Sequence, residues 1–289
     1  MILQNKKLEA IDPLDAATMV AQYGYLAIEN SGASPEEFAK WNLEMGHHIS
    51  PDIWCTDKEH SEYFWRVTNE KVDGENQGLF ADDELDWHSN LVPHADAQEI
   101  IGLYGKTITY DTETWVCSSL PYMQNLSQTT KDFFKGLKTK LIHSGGESIN
   151  QPWRPDWGKK YTDTVINGIK QNRNKSRVDL LDKKFNNFRG VLNEHNLVPN
   201  HPLGAEGIFF QPYEITEFVG ADNDLYYEIF NNFVTDKYTY KHKWKPGDIL
   251  LMDQFTTIHR RPTVSKDKTR ELLRSACWYK NRKHYDYVL

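Results

Sequence analysis

The sequence predicts a mainly β fold with flanking helices, and three observations support this prediction. Short apolar runs follow turn residues, as residues 249–252 do after Pro246 and Gly247. Aromatic residues make up 13% of the chain, with nine Trp and 15 Tyr, which suits a β-rich protein with an aromatic-lined cavity. Apolar residues recur with the three- to four-residue spacing of a helix in only a few segments, so strands are expected to form the core.

The individual elements follow from local patterns. Helical spacing predicts helices over 14–22 and over 127–142, and Ser34 with Glu37 forms a capping-box pattern for a helix that runs to about Gly46. Strand-like patterns are read over the remaining apolar segments: 97–104, 114–117, 206–219, 238–242, 248–253, 256–260 and 270–279.

Length and charge exclude several classes of protein. We expect the 289 residues to form a single domain with a sizeable core, since 39% of them are hydrophobic. The net charge of −7 argues against binding to nucleic acid or to an anionic membrane. No apolar run approaches the ~20 residues of a membrane span, and the first residues lack a signal-peptide pattern. Three cysteines without a close pair indicate free thiols and a cytoplasmic location.

Two short segments far apart in the sequence carry the candidate metal ligands. His88 and Asn90 are two positions apart, so on a strand they would project from the same face. His259 follows a predicted buried strand and offers a third side chain. A His-x-Asn spacing alone is a weak signal, because most single histidines are structural. The segments become informative only as an ordered set.

That ordered set resembles the taurine dioxygenase-like (TauD/TfdA) family of Fe(II)- and 2-oxoglutarate-dependent oxygenases. The resemblance spans residues from about 8 to 280 and is weakest over 145–200. The matching segments occur in the family's order: 22–28, 34–38, 78–90, Thr114-Trp115, His201-Pro202, 244–248, Asp253-Gln254, His259-Arg260 and Arg270 with Arg274.

The resemblance implies a fold, cofactors and a set of site residues. The fold is a double-stranded β-helix, or jelly roll, and the cofactors are Fe(II), the cosubstrate 2-oxoglutarate and O2. His88, Asn90 and His259 fall at the metal-ligand and catalytic positions. Arg270 and Thr114 fall where the family binds the distal carboxylate of 2-oxoglutarate, with Thr112 as an alternative to Thr114. Arg274 falls where a substrate anion is held.

The expected reaction couples decarboxylation of 2-oxoglutarate, which yields succinate and CO2, to oxidation of a C–H bond in a small, anionic molecule. Asn90 departs from this pattern, because the family has Asp or Glu there. Three readings remain open: an oxygenase with a weaker neutral ligand, a radical halogenase-like or other variant reaction at a vacated position, and a non-catalytic 2-oxoglutarate-binding relic. Asp86 is a substitute ligand only if it reaches the metal from the other side.

Residues 145–200 are predicted to form a variable, lid-like insertion within the single domain. The basic run over 170–177 is read first as a solvated face, and second as a cationic part of the lid for an anionic substrate. Substrate identity does not follow from the sequence, because this region is the least like the family. A homo-oligomeric state is left open as well.

Overall fold

The structure is a computed structural model, and it describes residues 1–49, 51, 56–57, 59–78, 84–90, 98–142, 192–212, 215–262, 265 and 268–281. Most of the predicted insertion over 145–200 lies outside these residues, so the lid and the single-domain division remain predictions. Within the described residues, no helix is long and apolar enough to cross a membrane.

The described part of the chain contains five α-helices and 16 strands. The helices are α1 (Pro13–Tyr23), α2 (Pro35–Met45), α3 (Ser119–Gln124), α4 (Gln128–Lys135) and α5 (Leu225–Phe233). The strands are β1 (Ile2–Gln4), β2 (Tyr25–Glu29), β3 (Gly46–His48), β4 (Trp65–Thr68), β5 (Lys71–Val72), β6 (Glu75–Asn76), β7 (Leu85–His88), β8 (Ile100–Ile108), β9 (Glu113–Ser118), β10 (Lys138–Ile142), β11 (Leu192–Asn196), β12 (Ile215–Val219), β13 (Thr239–Lys243), β14 (Ile249–Asp253), β15 (Thr257–Arg261) and β16 (Arg270–Tyr279).

Two sheets face each other and form the jelly-roll core. The large sheet has the order β1-β2-β14-β8-β16-β3, with β4 also paired to β16. The small sheet has the order β13-β9-β15-β7. A buried cluster joins them, with Leu250 of β14 and Leu272 of β16 on one side and Val116 of β9 on the other. Leu272 and Ala276 belong to this cluster, so alternate residues of β16 face the small sheet.

Helices α1 and α2 cover the outer face of the large sheet. Their buried residues pack with Leu26, Ile28 and Leu251 in a second apolar cluster. The predicted capping box of α2 is present, since Ser34 accepts from the Glu37 N–H and the Glu37 side chain accepts from the Ser34 N–H. The prediction of both helices is therefore confirmed to within one residue at each end.

Two predicted elements differ in the structure. The helix expected over 127–142 ends at Lys135, and residues 138–142 form a strand that pairs with both β11 and β12. The prediction of one long helix is wrong because Gly136 ends the helix. The alternation of side chains over residues 138–142 is that of a strand. The strand expected over 206–219 is confined to residues 215–219. Residues 206–212 are irregular because they run through an apolar cluster rather than along a sheet edge.

Candidate metal and cosubstrate site

The small sheet brings His88 and His259 together. The two residues are direct cross-strand partners on β7 and β15, and their ring centroids lie 4.1 Å apart. Both side chains are buried, with exposures of 3% and 8%. Two imidazoles from distant parts of the chain therefore meet at one point, as a shared metal ion requires.

A backbone contact fixes the tautomer of His88. Its Nδ1 lies 2.6 Å from the carbonyl oxygen of Asp86, so Nδ1 carries the proton and donates it to that oxygen. The lone pair is then on Nε2, which is the state that binds a metal. Histidine ligands in proteins are commonly oriented by such a bond from the second ring nitrogen.

Both imidazoles are held in the neutral form. Burial lowers the pKa of His88 to about 4. Burial is also the largest cause that holds the pKa of His259 well below its usual value, and the neighbouring His88 and Arg274 lower it further. Neutral imidazoles are the form that coordinates divalent metals, so this pair fits Fe(II).

Asn90 occupies the position next to the histidine pair. Its Nδ2 lies 3.2 Å from His259 Nε2, and Gln254 Oε1 accepts from both the backbone N–H of Asn90, at 2.9 Å, and its Nδ2, at 3.4 Å. The structure therefore brings the three predicted metal residues together. The amide occupies the position where the sequence resemblance calls for a carboxylate.

Asp86 does not join the pair. Its carboxylate accepts from the backbone N–H of Trp87 at 2.8 Å and lies 3.9 Å from Arg260 Nε. Arg260 neighbours His259 on β15, and its side chain is on the opposite face of that strand. In the described residues, no His, Cys, Asp or Glu combines with His88 and His259 into a three-ligand group.

Arg270 and Thr114 meet across the two sheets. Arg270 Nη2 donates to the Thr114 hydroxyl at 3.3 Å, and that hydroxyl also accepts from Trp244 Nε1 at 2.9 Å. Thr114 is therefore the better-placed of the two threonines considered from the sequence. Thr112 contributes only its backbone carbonyl, which accepts from the Trp244 N–H.

The charge of Arg270 has no carboxylate partner within the described residues. The side chain is 2% exposed, and its Nε makes no hydrogen bond there. The next residue, Glu271, points to the other face and is satisfied by Arg66 at 2.9 Å and Lys106 at 3.4 Å. Burial, followed by the charge of Arg261, lowers the pKa of Arg270 to about 9. A buried cation in this state fits the distal carboxylate of 2-oxoglutarate.

Arg274 lies on the same face of β16, four residues after Arg270 and beyond Leu272. Its guanidinium donates to Gln98 Oε1 and stacks over the Trp65 ring, with Cζ 4.8 Å from the ring centroid. Its charge contributes to the lowered pKa of both His88 and His259. A cation is therefore fixed close to the histidine pair, where it could hold an anionic group of a second molecule.

The sequence-based prediction assigns no role to four residues of this region, of which only Gln254 lies in a matched segment. Gln254 contacts Asn90, Gln98 contacts Arg274, and Arg261 and Tyr110 act on the charge of Arg270. Alternation along β15 places Arg261 on the His259 face, so this residue could have been found from strand parity. Gln98 and Tyr110 carry no comparable signal in the sequence, and the matched Asp253-Gln254 segment does not reveal what Gln254 contacts, because these contacts depend on tertiary packing.

Comparison with known proteins agrees with this geometry. The family model for "Taurine catabolism dioxygenase TauD, TfdA family" matches residues 4–276. The chain belongs to this family. A sequence search against curated proteins finds no match.

Solved structures of the TauD-like fold superpose on nearly the whole chain. A taurine dioxygenase from Burkholderia xenovorans is 16% identical, with a TM-score of 0.63 over 96% of this chain and 86% of that one. AAD-2, solved in complex with Mn(II) and N-oxalylglycine, is 15% identical, with a TM-score of 0.65 over 97% of this chain and 94% of that one. At these identities the likeness establishes the jelly-roll fold.

Family membership gives the class of enzyme and its cofactors. The TauD, TfdA family chain described here is an Fe(II)- and 2-oxoglutarate-dependent dioxygenase, and its cofactors are Fe(II), 2-oxoglutarate and O2. The paired neutral histidines fit the metal, and the buried Arg270, which has no carboxylate partner among the described residues, fits the cosubstrate. Asn90 is the one position at which the donor set departs from the usual two histidines and a carboxylate.

Proposed function

We propose that this TauD-family dioxygenase oxidises a C–H bond of a small anionic molecule and converts 2-oxoglutarate to succinate and CO2 in the same cycle. The observation that carries the proposal is Arg270. Its guanidinium is buried beside Thr114 without a carboxylate in the described residues, on the strand face that the histidine pair also borders.

Each residue has a separate task in this proposal. His88 and His259 hold Fe(II) through their Nε2 atoms, and the bond from His88 Nδ1 to the Asp86 carbonyl keeps that imidazole in the required tautomer. The bound iron, with O2 and the cosubstrate, supplies the oxidising power. The protein orients the reacting groups and keeps the site dry.

Arg270 and Thr114 orient the cosubstrate. The guanidinium binds the distal carboxylate through two parallel hydrogen bonds, which a planar fork of donors makes better than an ammonium does. The Thr114 hydroxyl already accepts from Trp244 and Arg270, so its own proton remains available to donate to that carboxylate. Since no carboxylate of the described residues neutralises Arg270, the bound cosubstrate takes that part in this proposal.

Arg274 selects the substrate by charge. Its stacking on Trp65 and its bond to Gln98 hold the guanidinium in place before a substrate arrives, so little side-chain entropy is lost on binding. A carboxylate, sulfonate or phosphonate group is the partner that such a fixed cation favours. The substrate class proposed is therefore a small organic anion. The predicted lid over 145–200 would complete the pocket.

Turnover of 2-oxoglutarate tests the proposal. Protein loaded with Fe(II) under anaerobic conditions is mixed with 2-oxoglutarate and O2, and succinate is measured with and without a panel of small organic anions. We expect succinate release that depends on iron, increases with the correct anion and is lost in His259→Ala. Binding of 2-oxoglutarate without any succinate above the His259→Ala level would contradict the proposal and identify a non-catalytic binding protein.

A halogenase-like reaction is the second candidate, and the observation that favours it is the neutral amide at position 90. Loss of the carboxylate leaves one negative charge fewer at the metal, which an added anion could restore. If the same assay yields a chlorinated product only when chloride is present, the function is halogenation and not hydroxylation. A product whose formation is indifferent to chloride would exclude it.

A further inference from the structure

The Gln254 side chain contacts two atoms of Asn90, and it also contacts one backbone carbonyl oxygen. Its Oε1 accepts from the backbone N–H of Asn90 at 2.9 Å and from Asn90 Nδ2 at 3.4 Å. Its Nε2 donates to the carbonyl oxygen of Met252 at 3.4 Å. Gln254 itself is 2% exposed, so water does not compete for these contacts.

The two backbone partners fix the orientation of the Gln254 amide. A backbone N–H can only donate, so the oxygen of Gln254 must face Asn90. A backbone carbonyl can only accept, so the nitrogen of Gln254 must face Met252. The side-chain atom of Asn90 that approaches Gln254 Oε1 must in turn be the donor Nδ2, because two amide oxygens at this distance would repel.

This orientation has a consequence at the metal site. The Nδ2 of Asn90, and not its oxygen, lies 3.2 Å from His259 Nε2. Adjacent ligands of an octahedral ion with bonds of ~2.1 Å are separated by ~3 Å, so Nδ2 lies where a neighbouring ligand would be. An amide NH2 group is a donor and has no lone pair available for a metal.

The backbone that carries Gln254 is held rigidly. The preceding carboxylate, Asp253, is fully buried and accepts from His201 Nε2 at 2.7 Å, the Phe255 N–H at 2.6 Å and the Tyr279 hydroxyl at 3.2 Å. The Gln254 N–H donates to the carbonyl oxygen of Glu99 at 2.8 Å. The Gln254 side chain therefore starts from a fixed point and is aimed at Asn90.

We propose that Gln254 is a positioning residue that holds the Asn90 amide with its NH2 group toward His259, so that Asn90 does not bind the metal through its oxygen. Position 90 then supplies no donor to the metal, and the ligands other than His88 and His259 are water or small molecules. This inference rests on the metal site proposed above, and it assigns to Gln254 the control of which end of Asn90 faces that site.

A double-mutant cycle on Mn(II) affinity tests the proposal without turnover. Affinity is read from the electron paramagnetic resonance signal of free Mn(II) during titration of metal-free protein. In the wild-type background, Asn90→Ala is expected to leave the dissociation constant within about threefold or to tighten it, because no ligand oxygen is removed. In the Gln254→Met background the Asn90 amide is free to turn its oxygen to the metal, so Asn90→Ala is expected to weaken binding by about tenfold.

Gln98→Met is the matched control, because it removes another buried glutamine amide, one that contacts Arg274 and not Asn90. The effect of Asn90→Ala should therefore keep its wild-type value in that background. A residue that merely supported the turn would give the same Asn90→Ala effect in all three backgrounds, which would overturn the proposal. If Gln254→Met fails to fold, the wild-type arm decides alone, since a tenfold weakening by Asn90→Ala there overturns it as well.

His259→Ala separates this inference from the proposed function. If His259→Ala binds Mn(II) as tightly as wild type, the metal site itself is wrong. If His259→Ala abolishes binding while the Asn90→Ala effects are equal in the Gln254 backgrounds, only the role of Gln254 is wrong.

Discussion

At the residue scale, the decisive feature is the contrast between two adjacent side chains of β16. Glu271 faces outward and is matched by Arg66 and Lys106, whereas Arg270 faces inward and has only the Thr114 hydroxyl as a described partner. A buried charge is tolerated when an opposite charge accompanies it, at least for part of the working cycle. The buried position of Arg270 therefore favours binding of an anionic ligand beside its guanidinium.

The first prediction separates the two inward arginines. Arg270→Ala should weaken 2-oxoglutarate binding by about 2–5 kcal/mol, as expected when one partner of a buried charge pair is truncated. Arg274→Ala should leave cosubstrate affinity largely intact, since its guanidinium is engaged with Gln98 and Trp65. Calorimetry with Mn(II)-loaded variants measures both. The reverse order of effects would mean that the two roles are exchanged.

The second prediction concerns Asn90→Asp. The carboxylate has nearly the same volume as the amide, and its charge stabilises a dication in a site of low dielectric, so Fe(II) affinity should rise. If Asn90 alone disables the wild-type enzyme, the Asn90→Asp variant should also release more succinate than wild type. An enzyme tuned to Asn90 should instead lose or divert the reaction with its own substrate. Iron affinity that does not change in Asn90→Asp would mean that position 90 does not face the metal.

The sequence predicts individual site residues where a strand pattern and a motif coincide. His88, His259, Thr114 and Arg270 lie on strands whose alternation aims them inward. The structure pairs His88 with His259 and Arg270 with Thr114. Gln254 and Gln98 escape prediction because a glutamine amide acquires a role only through the atoms that tertiary packing places around it.

At the element scale, the strands that carry the site are predicted well. The prediction of 270–279 for β16 is confirmed, and β14 and β15 differ by one residue at their ends. β14 is an apolar run that follows the turn residues Pro246 and Gly247, so its local pattern and its tertiary position agree. Helix α5 was missed because its residues 225–233 are rich in Tyr, Phe and Ile, which favour strands when read locally.

The third prediction tests the cap of α2. Ser34→Ala removes the acceptor for the Glu37 N–H, so the free energy of unfolding should fall by about 1 kcal/mol. Ser34→Thr keeps a hydroxyl and should lose much less. Urea unfolding monitored by circular dichroism gives both values. Equal losses in the two variants would show that the cap hydrogen bond contributes little to stability.

At the scale of the whole molecule, the jelly roll places the site between two sheets whose strands come from distant parts of the chain. His88 and His259 are 171 positions apart by their residue numbers, yet they are paired across β7 and β15. A sequence cannot reveal such a pairing from local patterns, because the register depends on closure of the intervening chain. The family resemblance supplied that information here.

The fourth prediction is that ligands raise the melting temperature in a fixed order. A ligand that binds only the folded protein stabilises it, by about 2.7 kcal/mol at a concentration of 100 times its dissociation constant. We expect a rise with Mn(II), a larger rise with Mn(II) and 2-oxoglutarate together, and no metal-dependent rise in His259→Ala. Differential scanning calorimetry measures these shifts. A full response in His259→Ala would place the metal elsewhere.

If His88 and His259 hold the metal as proposed, the ion also stabilises the pairing of β7 with β15. In the described residues this four-residue strand is one of the two edge strands of the small sheet, and it pairs with β15 through an irregular register. Short outer strands open readily, because few bonds hold them. An ion held by one imidazole from each strand would cross-link β7 to β15, and this cross-link would be reversible. Loss of iron would then weaken the pairing of β7 with β15. Amide hydrogens of β7 that exchange slowly in the iron-bound protein would exchange quickly without iron, so the edge of the small sheet would open before the rest of the fold.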